Sequence, residues 1–205
     1  MTSAGSTKPP PAPRRSASAR PRGRARREVL LDAVLQIVAE RGTDAVTHRR
    51  VAEVAGLPLA STTYWFDSRE HLLTAALELA AERDIARLRA HVERAPDDAE
   101  PVALAVSAVV SPTDPIRSSL VTTYALLLEA ARRPVLRDVA QRWTAAYLDA
   151  IGELLERAGS RRPRADAELL LAAADGLLIE QLASGHSADL QPHLVRLARS
   201  LIASS

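Results

Sequence analysis

The stretch from Thr47 to Phe66, THRRVAEVAGLPLASTTYWF, constrains the fold more than any other part of the chain. Thr47 suits a helix N-cap, because its hydroxyl can accept from a backbone N–H that has no partner in the first turn. Val51, Val54 and Ala55 recur at helical spacing and give the first helix one apolar face. Gly56 follows, where a helix end needs a residue at ease in a left-handed conformation. Leu57 can plug the corner, and Pro58 suits the start of a second helix, where its missing N–H is not needed. That second helix, Leu59 to Phe66, is short and carries Ser61, Thr62, Thr63, Tyr64 and Trp65. Two helices joined this tightly read as a helix-turn-helix, a unit that lays its second helix in the DNA major groove.

The flanking sequence is helical in pattern throughout and shows no alternating strand signal. Leu30, Ala33, Val34, Ile37 and Val38 form a stripe that predicts a helix over Arg27–Arg41, stopped by Gly42. After the motif, Asp67 or Ser68 caps a helix whose pattern (Leu72, Leu73, Ala76, Leu77, Ala80) runs to about Arg94. Prolines and glycines then divide the chain into helices over about Glu100–Val110, Ile116–Arg132, Val135–Ala158, Ala165–Ser184 and Leu190–Ile202. The expectation is an all-α protein of about nine helices. It has a three-helix DNA-binding head over 27–73 and a helical effector-binding and dimerisation domain over 74–205.

Residues 1–26 differ in kind. Up to about Gly23 the chain is rich in Pro, Ser, Ala and Arg and lacks apolar periodicity, so it cannot bury enough surface to offset the entropy of ordering. It reads as a disordered basic arm. Arg14-Arg15 has no apolar segment after it to complete an export signal, and the prolines oppose the amphipathic helix of a transit peptide. Two readings stand: a solvated tail, or an arm that adds phosphate or minor-groove contacts.

Charge sharpens this. The chain is +2 overall, but eight cations and no acid precede Glu28, which leaves the remainder at −6. Such a body does not attract nucleic acid through its overall field and needs a local basic patch. The absence of cysteine excludes disulfides and thiolate metal sites and fits a reducing, cytoplasmic setting. No apolar run is long enough for a membrane span. The five histidines show no metal-ligand spacing. GxSxG, Walker and GxGxxG patterns are missing, so neither catalysis nor a cofactor is expected.

Residues from about Arg27 to Leu73 resemble the N-terminal head of a TetR-family transcriptional regulator. The resemblance rests on GTDAVTHRRVAEVAG (Gly42 to Gly56), the aromatic close Tyr64-Trp65-Phe66, and Ser68-Arg69-Glu70 followed by Leu72-Leu73. One departure is Thr63, where the family commonly carries tyrosine; here the tyrosine stands one place later. The resemblance implies a homodimer on a double-stranded DNA operator. It also implies a small-molecule pocket in each C-terminal domain and ligand-induced separation of the heads, hence a ligand-released repressor. The alternatives are a regulator of the same fold without an effector, and a helical protein-interaction module.

On the recognition helix, Ser61, Thr62 and Tyr64 offer hydroxyls, while Leu59 and Ala60 offer apolar contacts for thymine methyls. These are mild base readers beside a bidentate Arg or Asn. Phosphate contacts are therefore expected from His48, Arg49 and Arg50, and from Arg69, which matches the family's phosphate-binding lysine. Thr47, Thr63 and Trp65 complete the expected DNA-facing set, while Phe66 is expected in the core. In a chain that is only 3% aromatic, Trp143 and Tyr147 share one helix face, and Tyr124 lies among Leu120, Leu127 and Leu128. These are candidate pocket walls, with Arg117, Glu129 and Asp175 as polar groups. Asp175 interrupts an apolar run and needs a partner, which a hydrogen bond across the dimer interface would supply. Surplus aliphatic surface on the last two helices predicts an isologous four-helix interface.

Overall fold

The computed structural model describes residues 21–110, 117–186 and 188–204. Among these the chain forms nine α-helices and one 3₁₀ turn and no strand. The all-α expectation holds. The helices are α1 (Pro21–Arg41), α2 (His48–Ala55), α3 (Leu59–Trp65), α4 (Arg69–Glu93), α5 (Pro101–Val109), α6 (Arg117–Arg132), α7 (Pro134–Arg157), α8 (Pro163–Ser184) and α9 (Gln191–Ala203). The 3₁₀ turn, Thr43–Ala45, joins α1 to α2.

Local chemistry sets the ends. The Thr47 hydroxyl accepts from Arg50 N–H at 3.2 Å and starts α2. Gly56 closes that helix at φ 63°, ψ 29°, the left-handed conformation that a side chain would strain. Of the two candidate caps for α4, Ser68 does the work, accepting from His71 N–H at 3.1 Å. The Glu100 carboxylate caps α5 by accepting from the backbone of Val102 and Ala103. The first helix differs from expectation: it begins at Pro21, six residues earlier than Arg27. Proline at a first turn wastes no hydrogen bond, and the Ala and Arg residues that follow are good helix formers. The remainder of the basic arm lies outside the described residues.

Two apolar clusters hold the helices together. One joins Leu30, Val34 and Val38 of α1, Val51 of α2, Phe66, and Leu72, Leu73 and Leu77 of α4 to Leu126 of α6 and Leu136, Val139 and Trp143 of α7. It therefore spans both sides of residue 73. The second joins α5, the C-terminal half of α7, α8 and α9 around Val106, Ile151, Leu155, Leu170 and Leu194. Phe66 is fully buried, as expected, and the Arg27 guanidinium lies 5.5 Å from its ring centroid. No helix is long and apolar enough to cross a membrane among the described residues.

Candidate nucleic-acid interface and effector cavity

The α2–α3 motif presents a narrower set of side chains than its sequence promised. Tyr64 is 72% exposed and Leu59 50%. Thr47, Arg49, Ala60 and Thr63 are also exposed, while His48, Arg50, Ser61, Trp65 and Arg69 are half-buried. Thr62 is fully buried and corrects the sequence reading, which had put it on the exposed face. Its hydroxyl donates to the Leu59 carbonyl at 2.8 Å and meets His48 Nδ1 at 3.3 Å, so it ties α3 to α2 and has no route to a base edge. The Tyr64 and Trp65 rings pack edge to face, 5.1 Å between centroids.

The cations divide by what already occupies them. Arg49 pairs with Glu53 on the solvent side of α2. Arg50 has no side-chain partner among the described residues. Arg69 is heavily engaged: Nη2 donates to the Thr43 carbonyl at 2.8 Å and to Asp44 at 3.2 Å, and Nε to the Val46 carbonyl at 3.2 Å. It fastens the start of α4 to the turn that precedes α2, a structural task hidden at a position read as a phosphate contact.

A cavity of about 1270 Å³ lies beyond the head, between the C-terminal half of α4 and helices α5, α6, α7 and α8. It exceeds the roughly 300–1,000 Å³ usual for small-molecule sites. Leu120, Tyr124, Leu127, Trp143, Tyr147 and Asp175 line it, as expected of pocket walls. Leu128 does not: it is 68% exposed on the outer face of α6, one position round the helix from Leu127. The Arg117 side chain lies outside the described residues. Glu129 faces away from the cavity. It pairs with Arg133 and accepts from the Thr43 hydroxyl at 3.3 Å, joining α6 to the 3₁₀ turn of the head. Its carboxyl is held below the usual range chiefly by the Arg133 hydrogen bond, against the opposing effect of burial, with further help from the Arg133 charge and Thr43.

Asp175 also corrects an expectation. Its partner is within the chain: Oδ1 accepts from the Tyr124 hydroxyl at 2.9 Å. Burial pushes its carboxyl upward, and the Tyr124 bond only partly offsets this. Tyr124 is raised as well, by burial first and by the Asp175 charge second.

One group escaped the sequence reading. Asp84 of α4 accepts from Trp143 Nε1 at 2.8 Å and from the Tyr147 hydroxyl at 2.7 Å, and pairs with Arg87. It fixes both aromatic walls. A signal existed, because Leu77, Ala81, Asp84, Leu88 and His91 fall in one inward register, where a carboxylate is out of place. His91 there meets the Ser107 hydroxyl at 2.8 Å.

Residues 96–204 match the family model described as the tetracyclin repressor-like C-terminal domain. The chain is 28% identical over 136 residues to the transcriptional repressor KstR of Rhodococcus jostii, covering 66% of this chain and 58% of that one. It is 40% identical over 52 residues to the transcriptional regulator BetI of Rhizobium meliloti, covering 25% of this chain and 26% of that one. The matched stretches thus span less than two thirds of either regulator's length. Among solved structures, a TetR-family member from Streptomyces coelicolor is 31% identical, with a TM-score of 0.69 over 86% of this chain and 98% of that one. The multidrug binding protein EbrR complexed with ethidium is 30% identical, with a TM-score of 0.68 over the same shares. The helix-turn-helix geometry and these likenesses lead to one conclusion: the chain belongs to the TetR family of transcriptional regulators.

Proposed function

We propose that this chain is a homodimeric repressor, bound to a near-palindromic operator and released by a small molecule held in the cavity. The observation that carries this reading is the double duty of α4. Leu72, Leu73 and Leu77 of its first half share a core with α1 and α2, while Asp84, Leu88 and His91 of its second half wall the cavity. A ligand that displaces the second half therefore acts on the first. Helix α6 offers a parallel route, with Tyr124 in the cavity and Glu129 on the head's 3₁₀ turn. The cavity supports this reading over a regulator of the same fold without an effector, and EbrR, solved with ethidium and with proflavin, lends further support.

In this reading Tyr64, Leu59, Ala60, Ser61 and Thr63 meet base edges, and Thr47, His48, Arg49 and Arg50 meet phosphates. Residues 27–73 act as the DNA-binding head, 74–205 as the effector and dimerisation domain, and the basic segment 1–26 as an added phosphate contact. Dimerisation rests on α8. Ala165, Leu169, Ala172, Gly176, Ile179 and Ala183 recur at alternating spacings of four and three, all apolar and all exposed. The exposed positions of α9 are Pro192, His193, Arg196, Arg199, Ser200 and Ala203, so, against the expectation of surplus aliphatic surface on both last helices, α9 flanks the seam mainly with polar groups. Two heads roughly 34 Å apart would then reach successive major grooves.

The test is fluorescence anisotropy of the full chain with DNA from its own upstream region, against a random duplex in low salt. Preferential binding that weakens steeply with salt is expected. Equal affinity for both duplexes overturns the proposal.

A further inference from the structure

The cavity's charges are unevenly spent, and the imbalance identifies a ligand chemistry. Arg83 pairs with Asp32, outside the cavity, and Arg87 with Asp84. Asp84 also takes the polar ends of Trp143 and Tyr147, so these two residues offer ring surface inward and little unmet hydrogen-bonding capacity. Glu100 is occupied with the α5 N-terminus and lies 3.9 Å from Arg199. Arg94 stands exposed at the end of α4. Asp175 remains. It lies one turn from Leu171 and Leu178 on the cavity face of α8 and has no ion-pair partner among the described residues. The neutral Tyr124 hydroxyl engages only Oδ1, which leaves Oδ2 as an acceptor. A carboxylate withdrawn from water without a counter-charge is costly, and the apolar and aromatic walls around it cannot lower that cost.

We infer that the cavity takes a lipophilic organic ammonium ion, an aryl-alkyl amine in its protonated form. Its N–H groups meet Asp175, and its apolar body lies along Trp143, Tyr147, Leu171 and Leu178. The ligand supplies the missing counter-charge, and the aromatic faces add attraction for the cation. This rests on the reading of the cavity as the effector site, and it is tested by a measurement that does not involve DNA.

Three isosteric probes separate the charge types: 1-naphthylmethylamine, the neutral 1-naphthalenemethanol and anionic 1-naphthoate. Isothermal titration into the full chain at pH 7 is expected to favour the amine over the alcohol by roughly tenfold or more, with the carboxylate weakest. Asp175→Asn is expected to abolish the preference for the amine over the alcohol. Glu153→Gln, which removes an exposed carboxylate outside the cavity, is expected to preserve it; circular dichroism checks that both variants fold. Equal or tighter binding of the alcohol or the carboxylate overturns the inference. So does a preference that survives Asp175→Asn, and so does the absence of heat with all three probes at millimolar concentration. An Asp175-dependent amine that leaves operator binding unchanged would uphold the ligand class and sink the release mechanism instead.

Discussion

Tyr64 and Arg69 show how a side chain's existing partners decide what it is free to do. Tyr64 is 72% exposed and packs edge to face on its neighbour Trp65, so Tyr64→Ala should lower operator affinity about tenfold while changing stability by less than about 0.5 kcal/mol. Arg69→Ala should behave in the opposite order. Losing three charge-assisted bonds from a half-buried guanidinium costs about 2 kcal/mol, and operator affinity falls chiefly because the head loosens. Anisotropy and thermal melting on the same preparations separate the two. Two carboxyls predict opposite pH behaviour. Glu129 is held below its unfolded value, so its contribution is present above about pH 4.3 and is lost as pH falls through the folded value. Glu129→Gln should therefore flatten the acid side of the stability profile. Asp175 is raised, so its contribution is full below the unfolded value and is lost as pH rises through the folded one. Asp175→Asn should stabilise the protein at neutral pH, by roughly 0.5–1 kcal/mol after allowing for partial exposure. A melting temperature at pH 7 that drops in this variant contradicts the account.

At the scale of elements, the short helices owe their ends to local chemistry and their pose to neighbours. Gly56 sits at φ 63°, and a Cβ there meets no atom within 4 Å, so Gly56→Ala would be strained by conformation alone. A loss of about 1 kcal/mol is expected, read from urea unfolding, with the helix-turn-helix retained. Helix α3 is only seven residues long and would not persist by itself; Thr62 and Phe66 hold it against the core. Helix α4, at 25 residues about 37 Å long, is sequence-encoded as one continuous helix by Ser68 at its start and Pro96 beyond its end. Its division into a cored half and a cavity wall follows from where buried residues stop: Leu88 is the lone fully apolar core position after Ala81.

For the whole molecule, the apolar seam on α8 is the feature that one chain leaves unmatched. Leu169 and Ile179 are 54% and 49% exposed on the same side of that helix, and Gly176 between them has open space around it. A small residue at the middle of such a seam lets two backbones approach closely. Ile179→Glu should shift the chain from dimer to monomer in sedimentation velocity, because a like pair of carboxylates would meet across a two-fold axis. The same variant should lose operator affinity by far more than Tyr64→Ala, since each head alone carries mild base readers. A monomer that still bound the full operator tightly would contradict the proposed assembly.

The sequence by itself determined the helical class, the order of the helices and the helix-turn-helix, because these depend on interactions within a few residues. Caps, left-handed glycines, prolines at first turns and apolar periodicity are all local. It also marked Tyr124, Trp143, Tyr147 and Asp175 as unusual for an aliphatic chain, but it named no partner for the three aromatics and sent Asp175 across a dimer interface. Only the tertiary structure decided the partnerships, because they join residues far apart in the chain. Tyr124 reaches Asp175, Asp84 reaches both Trp143 and Tyr147, and Glu129 reaches Thr43. It turned Thr62 inward and Leu128 outward, since helical spacing defines a face but not which neighbour covers it. It also gave Arg69 to the backbone of the head, a use that no spacing in the sequence records.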